Sequence, residues 1–568
     1  MTRKSVALCL LLTVTSLISD VLAQDPRPSP EEASAALMSG DQLFSVGKLT
    51  EATKQYRLAL KINSNLESAQ AGLARTLLIT QETDEALTVA LAGMAAHPDS
   101  PRLLVILGDI QFRRAEMEEA EKAYQTALQV NPKEAKAYFG LARLYQAHAL
   151  EAHSYAALKR AHDLDPKDPD IQLMWLDTLP RKERLAGLRE YLATPHPEVQ
   201  GRRQAVEESV RYLEKTADQP PHSCKMVGAA SAKELKLEYV HDDYTTTTFW
   251  DPVSGGHGTT SSATPIIGAG LSAKLNGKEQ LLLLDSGATG ILISRKMADR
   301  AKLQRISDIK FSGIGDKGER AGYLALADDI SIGGMEFRDC VVMVSEQRIL
   351  KDAPTIEGLI GADIFSSFLV DINFPQKLLR LSPLPSRPGE AEPPIVLNTA
   401  GISFGAIETD TFPAPKDRFV APEMGNWTRF LRFDHVVLVP TRVNGSKPML
   451  FVVDSGSYMN VLSARAAKSA AKMTADAHAG VDGMTVSGAS GRVKDVYRTE
   501  KVDLEFGRFH QPGLNTITID LMDESRDTGT EVSGMLGYAE LLYLLDVRID
   551  YRDGLVDFAY RDPHGVTH

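Results

Sequence analysis

Two rhythms of apolar and polar positions divide this chain. From about Ser34 the apolar residues recur at helical spacing, and the pattern repeats every 34 residues. Stepping by that period, Gly40, Ala74, Gly108 and Ala142 form one column, and Ala52, Ala86, Ala120 and Ser154 another. Tyr56, Ala90, Tyr124 and Leu158 form a third, Ala59, Gly93, Ala127 and Ala161 a fourth, and Ser64, Pro98, Pro132 and Pro166 close the units. Small residues at fixed places let two helices cross closely, larger apolar ones fill the next crossing, and a proline stops the second helix. Past about Thr264 the rhythm changes to short apolar runs bounded by Gly, Pro, Asn and Asp, the pattern of strands and turns.

The helical part resembles a tetratricopeptide array of four units, over about Pro30 to Ala193. "DPDIQLMWLDTL" and "RLAGLREYLA" read as a further helix pair, a degenerate cap. Each unit leaves an apolar face that only a neighbour covers, so the units must stack. The resemblance implies a surface for a peptide or protein partner, and the alternative is a spacer or packing module within one assembly. No ligand follows from it.

In the strand-rich part, "LLLLDSGATGILIS" (281–294) sets Asp285 directly after four leucines, where an ionised carboxylate without a partner is costly. "KPMLFVVDSGSYMNVLS" (447–463) repeats the arrangement with Asp454, 169 residues further on. The surroundings repeat as well. Both runs follow an Asn-Gly turn signal that joins two strands, in "LSAKLNGKEQLLLLDSGA" and "VPTRVNGSKPMLFVVDSGS". Both precede a glycine-bearing hairpin, "FSGIGDKGERAGY" and "VSGASGRVKDVY". Both end with two apolar residues before a glycine and a short helix, "GLIGADIF" and "GMLGYAEL". The order is the same in the two halves, so the region is two copies of one β-rich unit. Each copy offers one acid at the same structural place, and a twofold arrangement brings the two together.

These motifs resemble the aspartic peptidases, specifically single-chain bilobal forms whose lobes are each similar to a retropepsin subunit, over about Thr264 to Tyr560. The resemblance implies a fold class of an α-helical array followed by a bilobal, β-rich acid-protease fold. It implies a catalytic pair, Asp285 and Asp454, that activates water without a covalent intermediate, cofactor or metal. Ser286 and Ser455 would join the two loops by hydroxyl bonds, and Gly287 and Gly456 would let the backbone approach the acids. Ile360, Gly361, Leu536 and Gly537 would pack beneath the loops. Gly313, Gly315 and Gly318 are flap candidates; Gly488 and Gly491 mark either a second flap or a plain turn. Tyr323 reads as a packed strand tyrosine ahead of a flap residue. Asp363 is expected at an N-cap or on the surface, and Asp371 and Asp550 at strand ends or turns.

Composition narrows the rest. At 568 residues the chain exceeds a single core, and 43% hydrophobic with 24% charged residues marks a globular protein. A formal charge of −12 without a long basic run argues against nucleic-acid binding. Arg3 and Lys4, the run from Val6 to Ile18 and the "VLA" ending at Ala23 read as a signal peptide over 1–23, cleaved near Ala23, with an uncleaved anchor as the alternative. No later stretch is apolar and long enough to span a membrane, so an exported protein, periplasmic or extracellular, is expected. Cys224 and Cys340 remain after cleavage; a disulfide and two separate thiols are both open. The expected division is a helical array over 30–195, a linker with a first strand over 196–263, one lobe over 264–384, an interlobe linker over 385–430 and a second lobe over 431–562. The expected activity is endopeptidase cleavage of a peptide or protein substrate, with a protein partner on the array. A catalytically inactive peptide-binding scaffold is the alternative.

Overall fold

The computed structural model describes residues 29–194, 202–228, 231–241, 247–251, 256–260, 266–311, 313, 319–349, 356–389, 394–400, 414–433, 435–471, 487–488, 491–493, 495–541 and 544–560. The expected signal segment and the flap candidates Gly315 and Gly318 lie outside the described residues.

The 34-residue rhythm becomes four helix pairs: Pro30–Ser45 with Leu49–Ile62, Glu67–Ile79 with Thr83–Ala96, Pro101–Arg113 with Met117–Val130, and Ala135–Ala147 with Glu151–Leu164. The alternation of large and small residues in the columns has a direct cause. Tyr56 fills a slot between Gly40 and Gly72, where an added Cβ would sit 2.7 and 2.5 Å from its ring. Tyr124 does the same between Gly108 and Gly140, at 2.6 and 2.3 Å. Each phenol ends on an acid of the preceding helix, Asp41 and Asp109, at 2.8 Å. The turn inside each pair also repeats, with Gly47, Gln81, Ala115 and Ala149 all at positive φ. Three more helices follow, Pro169–Leu176, Arg181–Ala193 and Arg202–Lys215. The last lies in the stretch read from sequence as a linker, and its buried Val206, Val210, Tyr212 and Leu213 give it a packed face. None of the described helices is long and apolar enough to cross a membrane.

The two β-rich units share one strand order. In the first, Ile266–Leu275 pairs with Lys278–Asp285, followed across the sheet by Gly358–Gly361, Ile291–Ser294, Met335–Ser345, Arg320–Ile332 and Gln304–Phe311. In the second, Val436–Val443 pairs with Met449–Asp454, then Gly534–Gly537, Val461–Ser463, Phe509–Ile519 and Tyr497–Phe506. Asn276 and Gly277 (φ 45° and 71°) make the first hairpin turn, and Asn444 and Gly445 (50° and 72°) make the second, as the Asn-Gly signals predict. The lobes join through their C-terminal hairpins: Phe368–Asn373 lies antiparallel to Leu544–Asp550, with Val370 opposite Ile549 and Ile372 opposite Val547. Lys233–His241 continues this junction into the first lobe, pairing with Leu378–Pro383 on one side and Ile266–Leu275 on the other.

The strands that end in the two acids are buried on both faces, which explains their unbroken apolar runs. Leu282 and Leu284 enter the core shared by the lobes, whereas Leu281 and Leu283 face a second cluster containing Leu176, Leu188 and Tyr212 of the helices. Phe451 and Val453 likewise enter the shared core, while Leu450 and Val452 join Phe112, Met117, Leu141 and Leu144 of the array. The helices from Pro101–Arg113 onward are therefore an outer layer of the lobes. Polar contacts seal the seam: Thr530 Oγ1 donates to the Phe112 carbonyl at 2.7 Å, Arg113 to the Ser525 carbonyl at 2.8 Å, and Lys215 to the Ile306 carbonyl at 2.7 Å. Arg465 binds Asp84, and Arg432 binds Glu151. Cys224 and Cys340 form a disulfide that ties the lead-in segment to the first lobe.

Candidate active site

Each acid stands at the end of its strand because the next residues leave the sheet. In the first lobe Leu283, Leu284 and Asp285 run parallel to Leu359, Ile360 and Gly361; in the second Val452, Val453 and Asp454 run parallel to Met535, Leu536 and Gly537. The two registers are equivalent, so the two Asp-Ser-Gly loops emerge at matching heights and meet between the lobes.

A reciprocal set of four hydrogen bonds locks the loops. Ser286 Oγ donates to the Val453 carbonyl at 2.8 Å and accepts from the Ser455 amide at 3.0 Å. Ser455 Oγ donates to the Leu284 carbonyl at 3.0 Å and accepts from the Ser286 amide at 3.0 Å. Both serines are buried, so either hydroxyl, if lost, leaves a buried N–H and carbonyl without partners. The glycines bring the acids together across the seam. A Cβ on Gly287 would lie 2.8 Å from Asp454 Cγ, and one on Gly456 would lie 2.4 Å from Asp285 Cγ. Each carboxyl also accepts an amide from its own loop, Gly287 to Asp285 Oδ1 at 2.8 Å, and Gly456 and Ser457 to Asp454 Oδ1 at 2.9 and 3.1 Å.

The two carboxyls meet across the seam, each against the glycine of the opposite loop. Burial raises the Asp454 carboxyl well above the carboxylate range, and the charge of Asp285 raises it further. Burial also raises Asp285, but the Gly287 amide, the neighbouring Asp454 carboxyl, the Ala288 amide and His435 all pull it back. Two acids so close cannot both ionise cheaply, and the environment sets them apart.

Residues that the sequence reading placed elsewhere, or passed over, support this pair. Asp363, expected at an N-cap or on the surface, is 2% exposed. The short helix Ala362–Phe365 starts directly beneath the first loop and turns this side chain back into it. There Asp363 accepts from Thr289 Oγ1 at 2.8 Å and the Gly290 amide at 3.0 Å, and burial lifts it to about 6. In the second lobe a neutral residue braces the loop, Asn460 Oδ1 accepting from the Gly537 amide at 2.8 Å. Asp371 is also not at a strand end: it sits inside Phe368–Asn373 beside Arg380 and Asp546, and burial followed by the Asp546 charge lifts it to about 6. Asp550 does close its strand, accepting from the Asp553 amide at 3.0 Å. His435 gave no sequence signal, yet its Nε2 lies 3.2 Å from the Gly287 carbonyl. The first flap candidate, Gly313, is exposed between Gln304–Phe311 and Arg320–Ile332, which pair up to Phe311 opposite Arg320. Ser487–Gly488 pairs with Gly491–Arg492, so the second copy forms a hairpin of its own. Tyr323 is a packed tyrosine, 5% exposed with the Arg305 guanidinium 4.1 Å above its ring.

Comparison with known proteins agrees with this division. The sequence model of the aspartyl protease family matches residues 271–364 and 439–539, one segment in each lobe and each containing one Asp-Ser-Gly. Over 125 residues, 22% of this chain, the sequence is 30% identical to anaphase-promoting complex subunit 7 of Arabidopsis thaliana, and the match spans 22% of that protein. A thermophilic tetratricopeptide protein of Thermus thermophilus aligns over 32% of this chain and 98% of its own length, at 22% identity and a TM-score of 0.27. The pilF structure from Pseudomonas aeruginosa aligns over 33% of this chain and 86% of its own, at 19% identity and a TM-score of 0.25.

Proposed function

We propose that these two aspartyl protease segments form one working site, and that the chain is an exported aspartic endopeptidase with Asp285 and Asp454 as its catalytic residues. The observation that carries this reading is the interlocked pair of Asp-Ser-Gly loops, which set each carboxyl against the glycine of the opposite loop. One ionised acid takes a proton from a water held between the two, while the protonated acid hydrogen-bonds the scissile carbonyl. The water attacks, and the tetrahedral diol collapses as the proton is returned to the leaving amine. Ser286 and Ser455 hold the two acids at fixed spacing, and the loop amides orient the carboxylate oxygens. Both halves lie on one chain, so no second copy is required to complete the pair.

An extended peptide is the substrate class that fits a cleft between two lobes. The helical array, besides covering the lobes, recruits a protein substrate or partner through the surface that the lobes leave free. Export is supported by the leader pattern ending at Ala23 and by the Cys224–Cys340 disulfide, a bond that persists in oxidising compartments.

The test is cleavage of a peptide library across about pH 3 to 7, the range in which a shared-proton dyad operates. Wild type is compared with Asp285→Asn and Asp454→Asn, and with wild type in the presence of pepstatin. Loss of cleavage in either variant and inhibition by pepstatin support the dyad. Cleavage that survives both substitutions removes the dyad assignment, and absence of cleavage by wild type leaves an inactive peptide-binding scaffold as the reading.

A further inference from the structure

The catalytic loop of the first lobe is held from outside its own lobe. His435 stands just ahead of Val436–Val443, the first long strand of the second lobe, and its Nε2 reaches to 3.2 Å from the Gly287 carbonyl. That carbonyl belongs to the peptide group whose N–H is that of Ala288, which donates to the Asp285 main-chain carbonyl at 3.3 Å and also favours the ionised form of the Asp285 side chain. A cation donating to the carbonyl end of a peptide strengthens its N–H as a donor at the other end. The imidazole also acts through space on both Asp285 and Asp363. The other groups that bear on this corner come from three directions. Asp363 faces it from beneath the loop, and the buried Tyr551 phenol, from the interlobe hairpin, is held protonated by burial and by the charges of Asp363 and Asp285. Arg432, on the segment that leads to His435, is engaged elsewhere by Glu151 and the Tyr551 carbonyl. The corresponding loop of the second lobe is braced by Asn460, a side chain with no charge to give.

We propose that His435 is a positioning residue of the dyad: it fixes the Gly287–Ala288 peptide and places positive charge beside Asp285, so that Asp285 ionises and Asp454 keeps the shared proton. This rests on the peptidase reading above. Two near-equivalent loops would otherwise leave the proton without a preferred side. His435 belongs to the second lobe but acts on the acid of the first, and so it also makes the charge state of the dyad depend on lobe docking.

The experiment measures kcat/KM against pH for the full chain, on a peptide that wild type cleaves, with His435→Gln and His435→Lys alongside. Thermal unfolding confirms that each variant is folded, and His435→Asn replaces the glutamine variant if the latter is not. Removing the charge raises the proton affinity of Asp285, so the acid limb of the neutral variant moves to higher pH by about half to one unit. Below that limb kcat/KM then falls about three- to tenfold, whereas His435→Lys keeps the wild-type limb. An unmoved limb in the folded neutral variant overturns the proposal, as does the same shift in the lysine variant, which would mark a purely structural role. Failure of wild type to cleave any peptide is a different result: it removes the peptidase reading itself, and the role of His435 with it.

Discussion

If the helices are the outer layer of the lobes, a cut in the array must be felt at the strands that carry Asp285 and Asp454. Phe112 tests this most directly. It is 2% exposed at the end of Pro101–Arg113, edge-on to Phe433 of the second lobe at 5.8 Å, with the Arg143 guanidinium 4.3 Å over its ring. Its cluster includes Leu450 and Val452, on the strand that delivers Asp454. Phe112→Ala removes a large buried ring and its aromatic contact while keeping the backbone carbonyl that binds Thr530. Substitutions of this kind cost about 3–5 kcal/mol, a large part of the roughly 5–15 kcal/mol that holds a domain together. Tryptophan supplies a reporter on each side, Trp175 on the array and Trp427 packed near the interlobe hairpin. With Trp250 and one of these two replaced by Phe, each single-tryptophan protein is unfolded in urea, with and without Phe112→Ala. A shared core predicts that both transitions move to lower urea by the same free energy. If the Trp427 transition stays in place while the Trp175 transition falls, the array is an independent module and the shared core is refuted.

Two further predictions concern the dyad. Aspartate in an unfolded chain ionises near pH 3.9, whereas burial and the Asp285 charge keep the Asp454 proton in place to well above that. The stabilisation from this group is therefore complete below the unfolded value and declines as pH rises toward the folded one, by about 1.4 kcal/mol per pH unit. Asp454→Asn removes that contribution to the slope; parallel stability curves for wild type and variant in urea between about pH 4 and 7 would contradict it. Gly456→Ala drives a methyl group onto the Asp285 carboxyl, and a displacement of this kind is expected to lower kcat about a hundredfold or more. Near-wild-type turnover, with wild-type circular dichroism, would show that the loops are not held as closely as described.

Much of this molecule can be read from its residues, because the signals are local and repeated. The Asn-Gly turns, the Asp-Ser-Gly triplets and the apolar-apolar-Gly segments each have a short-range meaning, and their recurrence in one order identifies two equivalent lobes. The serine pair was anticipated as well, through the resemblance to bilobal aspartic peptidases, which implies hydroxyl bonds between the two loops. Asp363 and His435 were not legible in this way. Asp363 lies 78 residues beyond Asp285 in sequence, and it reaches the loop only because Gly361 ends its strand in register with Asp285. His435 comes from the other lobe altogether, and a lone histidine before a strand carries no spacing that would single it out.

The sequence by itself determined which elements form, how they repeat, and that two acids at equivalent places needed each other: periodicity, turn chemistry and the cost of burying a charge are written in consecutive residues. The same unbroken runs, "LLLL" and "LFVV", also required that something cover the second face of each Asp-bearing strand. Only the tertiary structure decided what that cover is. Leu283 packs toward the helices around Leu188 and Tyr212, and Val452 toward Phe112 and Leu141, which makes the array part of the lobes' own core. Contacts of that kind depend on which two surfaces meet across hundreds of residues, and no local pattern of apolar and polar positions specifies its distant complement.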